Sequence, residues 1–559
     1  MLKKILKKIK VIVKIIINEP YSQIIIFSNF ISSFLSVIGI PLLVVAYQYS
    51  ESLDKNLIPF YDTLSNIFGV IGIELSFYSL IGAALFLIIF GQTCFGIVEI
   101  LNRYVQIKVV KEFSINLIKN YKNANWLNIL EDKSGKFQYA INTEAHRASQ
   151  VVLDSLRLTS GTIQLLFFLG TSFYFSPKIT TILLFFFIFL GFITILVSVK
   201  INYLANFFND ERIKIAESVS NINNNKKYLK SSIFPNFFLN IYKNIEFAWN
   251  IDWKLNLYAF FLRYIVFILI AQLFTVLLIF YKELNTSFEE VAIAILIFLR
   301  TTPIFMKISE SYGSLSETLP VYENFLKRSN FFRNAKEKSG NLFFEKQKII
   351  LFEKVFYKYP LTNKFIVKNL NLKIEPNKTY AIIGPSGSGK STIVDLLMGL
   401  LRPSKGSIKY GHIDQKKLDL KSFRNKVSYI SQNISLFDGT IKENLLVGKS
   451  KRHKDIVDIC KLCMAFDFIN SKPKKFDTLI GENAIKISGG QKQRILLARA
   501  LLSESEIIIL DEATNQLDER SIVYIRNTIK KIKTSKTIII ISHQKNIRML
   551  ADKTYYLTK

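Results

Sequence analysis

Six membrane-crossing helices fused to a soluble α/β domain is the architecture this sequence predicts, and three observations carry the prediction. Half of the 559 residues are apolar, and in roughly the first 300 positions they collect in long runs almost free of charge. From Gln347 onward the texture changes to short apolar strands, glycine-rich turns and helical stretches, the pattern of an α/β domain. Within that second part, AIIGPSGSGKST fits GxxxxGK[ST], preceded by the apolar run Tyr380–Ile383 and followed by the helix-like IVDLLMGL.

Taken in order, the start MLKKILKKIKVIVKIII sets Lys3, Lys7, Lys10 and Lys14 on one helical stripe. Residues 1–20 therefore read as an interfacial amphipathic helix ended near Pro20. Lys14 interrupts the apolar stretch and no small-residue cleavage site follows, unlike a secretory leader. A span needs about 20 apolar residues to cross a hydrocarbon core of about 30 Å. Charge-free runs occupy Tyr21–Ser50, Leu75–Val98, Leu158–Pro177 and Ile179–Val199. Leu255–Tyr281 and Val291–Met306 each hold one cation, Arg263 and Arg300, which completes a six-span domain over residues 21–327.

Charge sets the orientation. Glu51, Asp54, Asp62 and Glu74 lie between the first two spans, whereas the long stretches after the second and fourth carry Arg103, Lys108, Lys119, Arg212, Lys226 and Lys230. The positive-inside rule places the basic stretches, and both termini, in the cytosol. Arg300 lies nine residues into its run, near mid-membrane, where a cation costs about 2.5–3.5 kcal/mol on insertion scales. Pro303 one turn later loosens the helix and opens carbonyls to a cavity. The arrangement points to an Arg facing a translocation path and attracting an anionic group, with Arg263 as a second candidate.

Residues 328–346 form a linker, and 347–559 an α/β P-loop nucleotide-binding domain. Gly384, Ser386, Gly387, Ser388 and Gly389 let backbone N–H groups wrap phosphates, Lys390 reaches the β/γ-phosphates, and Ser391, beside Thr392, offers its hydroxyl to Mg²⁺. IIILDEAT is a buried strand delivering Asp511 toward Mg²⁺ and Glu512 toward the attacking water. Between the two motifs, Ser488, Gly489, Gly490 and Gln491 open an apolar-periodic helix whose N-terminus suits a phosphate, although a plain helix cap has the same pattern.

This set, together with Gln432 in YISQ and His543 in IIIISHQ, resembles the ATP-binding cassette (ABC) family over the whole C-terminal domain. The resemblance implies ATP and Mg²⁺ as cofactors. It makes Tyr359 the aromatic stacked on adenine, Gln432 the residue that contacts Mg²⁺ or water, Asp518 a carboxylate crossing the dimer interface and His543 the switch at the γ-phosphate. Ile487, Asn515–Gln516 and Gln544 depart from the usual pattern without removing a catalytic group. In this family the signature serine, here Ser488, acts on ATP held by the opposite subunit. One cassette per chain thus implies a second half-transporter subunit, most simply a homodimer.

Spans placed ahead of the cassette resemble the exporter arrangement, as does Thr478–Glu482 before the signature. Asn142–Ser149 and Ala216–Asn224 are the expected coupling segments. Arg263, Arg300 and FLRTTPIF are similar to what lipid-linked oligosaccharide flippases show, which implies an anionic lipid-linked sugar; peptide, lipid A-like and drug substrates stay open. The chain is expected in a bacterial inner membrane, in contact with its lipid.

The formal net charge of +31 falls mostly on the C-terminal half and is compatible with nucleic-acid contact, as in DNA-repair ATPases with the same type of cassette. Six spans and scattered lysines argue instead for a lysine-rich soluble surface and no nucleic acid. Cys94, Cys460 and Cys463 make neither a disulfide framework nor a zinc site.

Overall fold

A computed structural model describes Val13, Ile17 and residues 20–51, 61–132, 134–175, 177–231, 235–280, 283, 288–345, 348–360, 362–431, 436–481, 486–512, 519–542 and 549–557. They form two units, residues 1–124 with 128–336, and residues 125–127 with 337–559. The division at Lys336 falls inside the stretch expected to link the domains. Apart from Val13, Ile17 and Pro20, the expected N-terminal helix lies outside the described residues.

Six long helices build the first unit: α1 (Ser22–Glu51), α2 (Phe77–Asn123), α3 (Ala145–Phe175), α4 (Pro177–Asn224), α5 (Pro235–Phe280) and α6 (Phe288–Asn334). Among the described residues, Phe77–Asn123, Gly135–Tyr174 and Pro177–Asn224 are long and apolar enough to cross a membrane. Most of these helices run well past the apolar runs read from the sequence, because their continuations keep apolar faces that pack within the unit; Phe113 stacks on Phe325 at 5.2 Å, for example. A short helix, Tyr61–Ile71, precedes α2.

Local chemistry fixes the helix ends and contacts. Ser76 caps α2: the Ser79 N–H donates to Ser76 Oγ while the Ser76 N–H donates to Ser79 Oγ, a reciprocal box that satisfies two orphan donors. A Cβ on Gly39 of α1 would lie 2.6 Å from Ile88 Cγ1 and 2.8 Å from the Ala84 carbonyl of α2. Only glycine lets these two backbones approach so closely, which is how helices associate where lipid removes the hydrophobic drive. Large apolar side chains such as Phe86, Phe185 and Phe192 are exposed, as lipid-facing positions are.

The second unit holds two sheets. An antiparallel sheet has the order β2 (Val367–Ile374), β1 (Ile350–Tyr357), β4 (Lys405–Tyr410), β5 (Ile413–Asp414). A parallel sheet has the order β6 (Val427–Ile430), β7 (Ile507–Asp511), β8 (Thr537–Ser542), β3 (Thr379–Ile383), β9 (Lys553–Tyr556). The unbroken isoleucine runs of β7 and β8 are buried on both faces, as central parallel strands require. Alternation divides them between two cores: Ile508, Leu510, Ile538 and Ile540 on one side, Ile507, Ile509, Ile539 and Ile541 on the other.

Of the expected coupling segments, Asn142–Glu144 belong to a π-helical turn, Ala145–Ser149 open α3, and Ala216–Asn224 end α4. The sequence reading passed over Asn125–Leu127. These residues group with the second unit, where Trp126 and Leu127 pack on its core.

Candidate functional site

The site sits at the carboxyl ends of adjacent parallel strands, where α/β sheets bind ligands. β3 runs into the glycine loop and then into α7 (Lys390–Leu397), β7 ends on Asp511 and Glu512, and β8 lies between them. Gly387 (φ +80°) and Gly389 (φ +87°) hold left-handed conformations that turn the loop onto the helix N-terminus. A Cβ on Gly384 would lie 2.5 Å from Ser388 Oγ and 3.0 Å from Leu557 Cβ, so only glycine fits that first position.

Lys390 Nζ donates to the Gly384 carbonyl at 2.9 Å and the Pro385 carbonyl at 3.0 Å, which folds the ammonium back over its own loop. Ser388 Oγ is buried and has no hydrogen-bond partner among the described residues. An orphaned hydroxyl beside a lysine at a helix N-terminus is the chemistry an anionic phosphate satisfies. Thr392 is buried, its hydroxyl 3.5 Å from the Tyr359 hydroxyl. Tyr359 is half-buried, with its ring edge-on to Tyr357 at 5.2 Å.

Asp511 is buried, 6% exposed, and accepts a 2.9 Å hydrogen bond at Oδ2 from the Tyr429 hydroxyl. Burial pushes its carboxyl up, the Tyr429 bond pulls it down, the Glu512 charge raises it and the Lys390 charge lowers it. Glu512 has a left-handed backbone (φ +50°), and its N–H donates to the Ile541 carbonyl at 2.9 Å. Asp395, on α7, is pushed up to about 6 by burial and then by the Asp511 charge.

That shift predicts a pH effect. A folded-state value raised above the ordinary 3.8 makes the ionised form of Asp395 a penalty, absent below 3.8 and complete above about 6. Asp395→Asn is therefore expected to raise the thermal midpoint at pH 8, with the gain shrinking by pH 5. Equal gains at both pH values in melting curves would contradict it.

Ser488 caps α8 (Gly489–Leu502): the Gln491 N–H donates to Ser488 Oγ at 3.3 Å, and the Ser488 N–H donates to Gln491 Oε1 at 3.2 Å. The serine thus serves its own helix and, with Gly489 and Gly490, leaves the helix N-terminus as the anion-facing feature. Upstream, Ile480 is fully buried, and Thr478 and Ile480 bond the Gly439–Ile441 backbone. Gln432, Asp518 and His543 lie outside the described residues; β8 ends at Ser542, one residue before His543, on the strand between β3 and β7. The sequence reading missed Tyr429 and Asp395. Tyr429 lay in plain view three residues before Gln432, but only strand pairing reveals its partner.

In the helical unit, a cavity of about 960 Å³ is lined from α3 by Asp154 and Arg157 and from α6 by Pro303, Lys307, Glu310 and Glu317. Glu99 of α2 pairs with Arg157 and, at 3.2 Å, with Lys307. Arg157 and Lys307 each fall one residue outside a run read as a span, so a search for cations inside spans passed over them. Arg263 and Arg300 lie on α5 and α6, but their side chains are outside the described ones.

A phosphate-cradling loop, an acidic pair at the end of another strand of the same parallel sheet and a bundle of long apolar helices on one chain define a membrane protein with a nucleotide-binding motor domain. Residues 367–515 match the family model described as ABC transporter. That match lies within the second unit, and the chain as a whole shares its fold with a solved ABC exporter. A solved structure titled as a bacterial Atm1-family ABC exporter with ATP bound superposes with a TM-score of 0.77, 18% identity and coverage of 96% of this chain and 94% of that one. The ATP-dependent lipid A-core flippase of Escherichia coli (strain K12) is 38% identical over 204 residues, 36% of this chain and 35% of the flippase. P-glycoprotein 14 of Caenorhabditis elegans is 37% identical over 212 residues, 38% of this chain and 16% of that protein. The matched segment spans about a third or less of these curated relatives.

Proposed function

We propose that the protein is an ATP-driven exporter or flippase working by alternating access, with ATP hydrolysed between two cassettes of a homodimer. The observation that carries this reading is Lys390 at the start of α7, after β3, with Asp511 and Glu512 at the end of β7 on the same edge of one parallel sheet, in a chain whose described residues also hold six long helices. Lys390 and the backbone N–H groups of Gly384 and of Ser386 to Thr392 bind the phosphates, and Tyr359 stacks on adenine. Ser391, Gln432 and Asp511 would hold Mg²⁺, which neutralises phosphate charge when bound. Glu512 accepts the proton of the water that attacks the γ-phosphorus as the bond to the β,γ-bridging oxygen breaks, and His543 contacts the γ-phosphate. Ser488 to Gln491 and Asp518 close on the nucleotide held by the second subunit.

The proposed membrane is a bacterial inner membrane, with both termini in the cytosol. Cysteines placed near Asp54 and Lys282, in a chain stripped of its three native cysteines, are expected to react with an impermeant thiol reagent added outside. Cysteines near Lys119 or Lys226 are expected to stay unlabelled, and the reverse pattern would overturn this orientation.

For the substrate we propose an anionic lipid-linked sugar whose charge is received by Arg300, with Arg263 as second contact. The support is the cost of a mid-membrane Arg beside Pro303, which lines the helical cavity. Mass spectrometry of lipid retained on the purified protein, followed by ATPase assays with that lipid, tests the class directly. Arg300→Gln is expected to keep basal ATP turnover yet lose its stimulation by lipid. Arg300→Lys is expected to keep part of it, because a point charge attracts phosphate without the bidentate fork. Full stimulation in Arg300→Gln would reject the anion site.

A further inference from the structure

We infer that Tyr429 is a positioning residue for the proposed hydrolysis, its phenol holding the carboxylate of Asp511 in the one orientation that leaves Oδ1 for Mg²⁺. The inference rests on the assignment of Asp511 to the metal made above. Tyr429 lies on β6, paired in register with Ile509 of β7, so its side chain reaches the residue two positions further along, Asp511. There its hydroxyl donates to Asp511 Oδ2 at 2.9 Å, within the O–H···O hydrogen-bond range.

The carboxylate needs such a restraint. Asp511 is buried, and of the charges that act on it Lys390 attracts while Glu512 repels; Asp395 repels it in turn. A buried carboxylate between like charges is driven to turn toward whatever donor it can find. Tyr429 supplies such a donor, its hydroxyl placed against Asp511 Oδ2. Partners that orient a ligating carboxylate in this way typically change metal affinity about 10–100-fold when removed. Tyr429 is 43% exposed as a residue, so Tyr429→Phe removes an oxygen without opening a cavity in the core.

The test uses the full-length protein in lipid nanodiscs, in the Glu512→Gln background expected to retain ATP, with Mn²⁺ as the probe metal read by electron paramagnetic resonance. Tyr429→Phe is expected to weaken Mn²⁺ binding about tenfold, while ATP binding measured in excess chelator and the thermal midpoint stay unchanged. Mn²⁺ affinity within about twofold of the parent would overturn the inference. So would an equal loss of chelator-resistant ATP binding or of thermal stability, which would mark a purely structural role. Asp511→Asn serves as the reference: if it leaves Mn²⁺ affinity intact, the metal assignment itself is wrong, an outcome separate from failure of the Tyr429 step.

Discussion

Replacing Glu512 with Gln is expected to lower ATP turnover about 10²–10⁴-fold, the range contributed by a well-placed general base. The amide keeps the size of the carboxylate and the 2.9 Å backbone bond to Ile541, but it cannot take a proton from the attacking water. ATP binding should therefore survive, and the dimer should accumulate closed around unhydrolysed nucleotide. Lys390→Ala acts one step earlier. It removes the cation beside the loop carbonyls of Gly384 and Pro385 and should abolish binding itself, so the two variants separate retention from turnover. Radiolabelled ATP retention and phosphate release, measured side by side, read both steps. Equal phosphate release from wild type and Glu512→Gln would remove Glu512 from the chemistry.

The second large effect is expected at Gly389. Its φ of +87° is a conformation that costs an L side chain about 1–3 kcal/mol, and a Cβ there would lie 3.0 Å from Ile366 Cγ2 and 3.3 Å from the Ile366 carbonyl. Gly389→Ala can be relieved only by rotating the peptide that leads into Lys390, which turns an amide away from the phosphate position. Nucleotide affinity is expected to fall at least about tenfold, the equivalent of about 1.4 kcal/mol, while the rest of the domain, built on the two cores flanking β7 and β8, stays folded. Calorimetric titration with ATP alongside a melting curve checks both parts. Unchanged affinity would mean that the loop tolerates a right-handed residue there and that the glycine is incidental.

The stretches legible from sequence share a property: their physics is local. An apolar run of about 20 residues has few ways to satisfy its backbone except as a membrane helix, so each run lies largely within one of α1 to α6, three of which, among the described residues, include stretches long and apolar enough to cross a membrane. A buried strand followed by glycines, a lysine and a helix likewise carries its geometry in its own order. β3, the loop and α7 follow the residues Thr379 to Leu397 without a break. IIILDE is similar, since unbroken isoleucines leave no polar face for an exposed strand. Ser488 shows where such reading stops. Its pattern suits both a phosphate contact and a helix cap, and the bonds to Gln491 make it the cap of α8.

By itself, then, the sequence determined the division into a membrane part and a motor part, the strand-to-loop elements that carry Lys390, Asp511 and Glu512, and the glycines those elements need. Hydrophobic runs and left-handed turns act over a few residues and are written in consecutive letters. The tertiary structure alone decided that Tyr429 holds Asp511 across 82 positions of sequence, and that Asp395 stands close enough to feel its charge. It also brought Glu99 of α2 to Arg157 of α3 and Lys307 of α6. Such pairings depend on strand register and on which helix faces meet, and a shift of one residue in either would give each side chain a different partner. Register and facing are set by the packing of the whole unit, so no single segment can encode them.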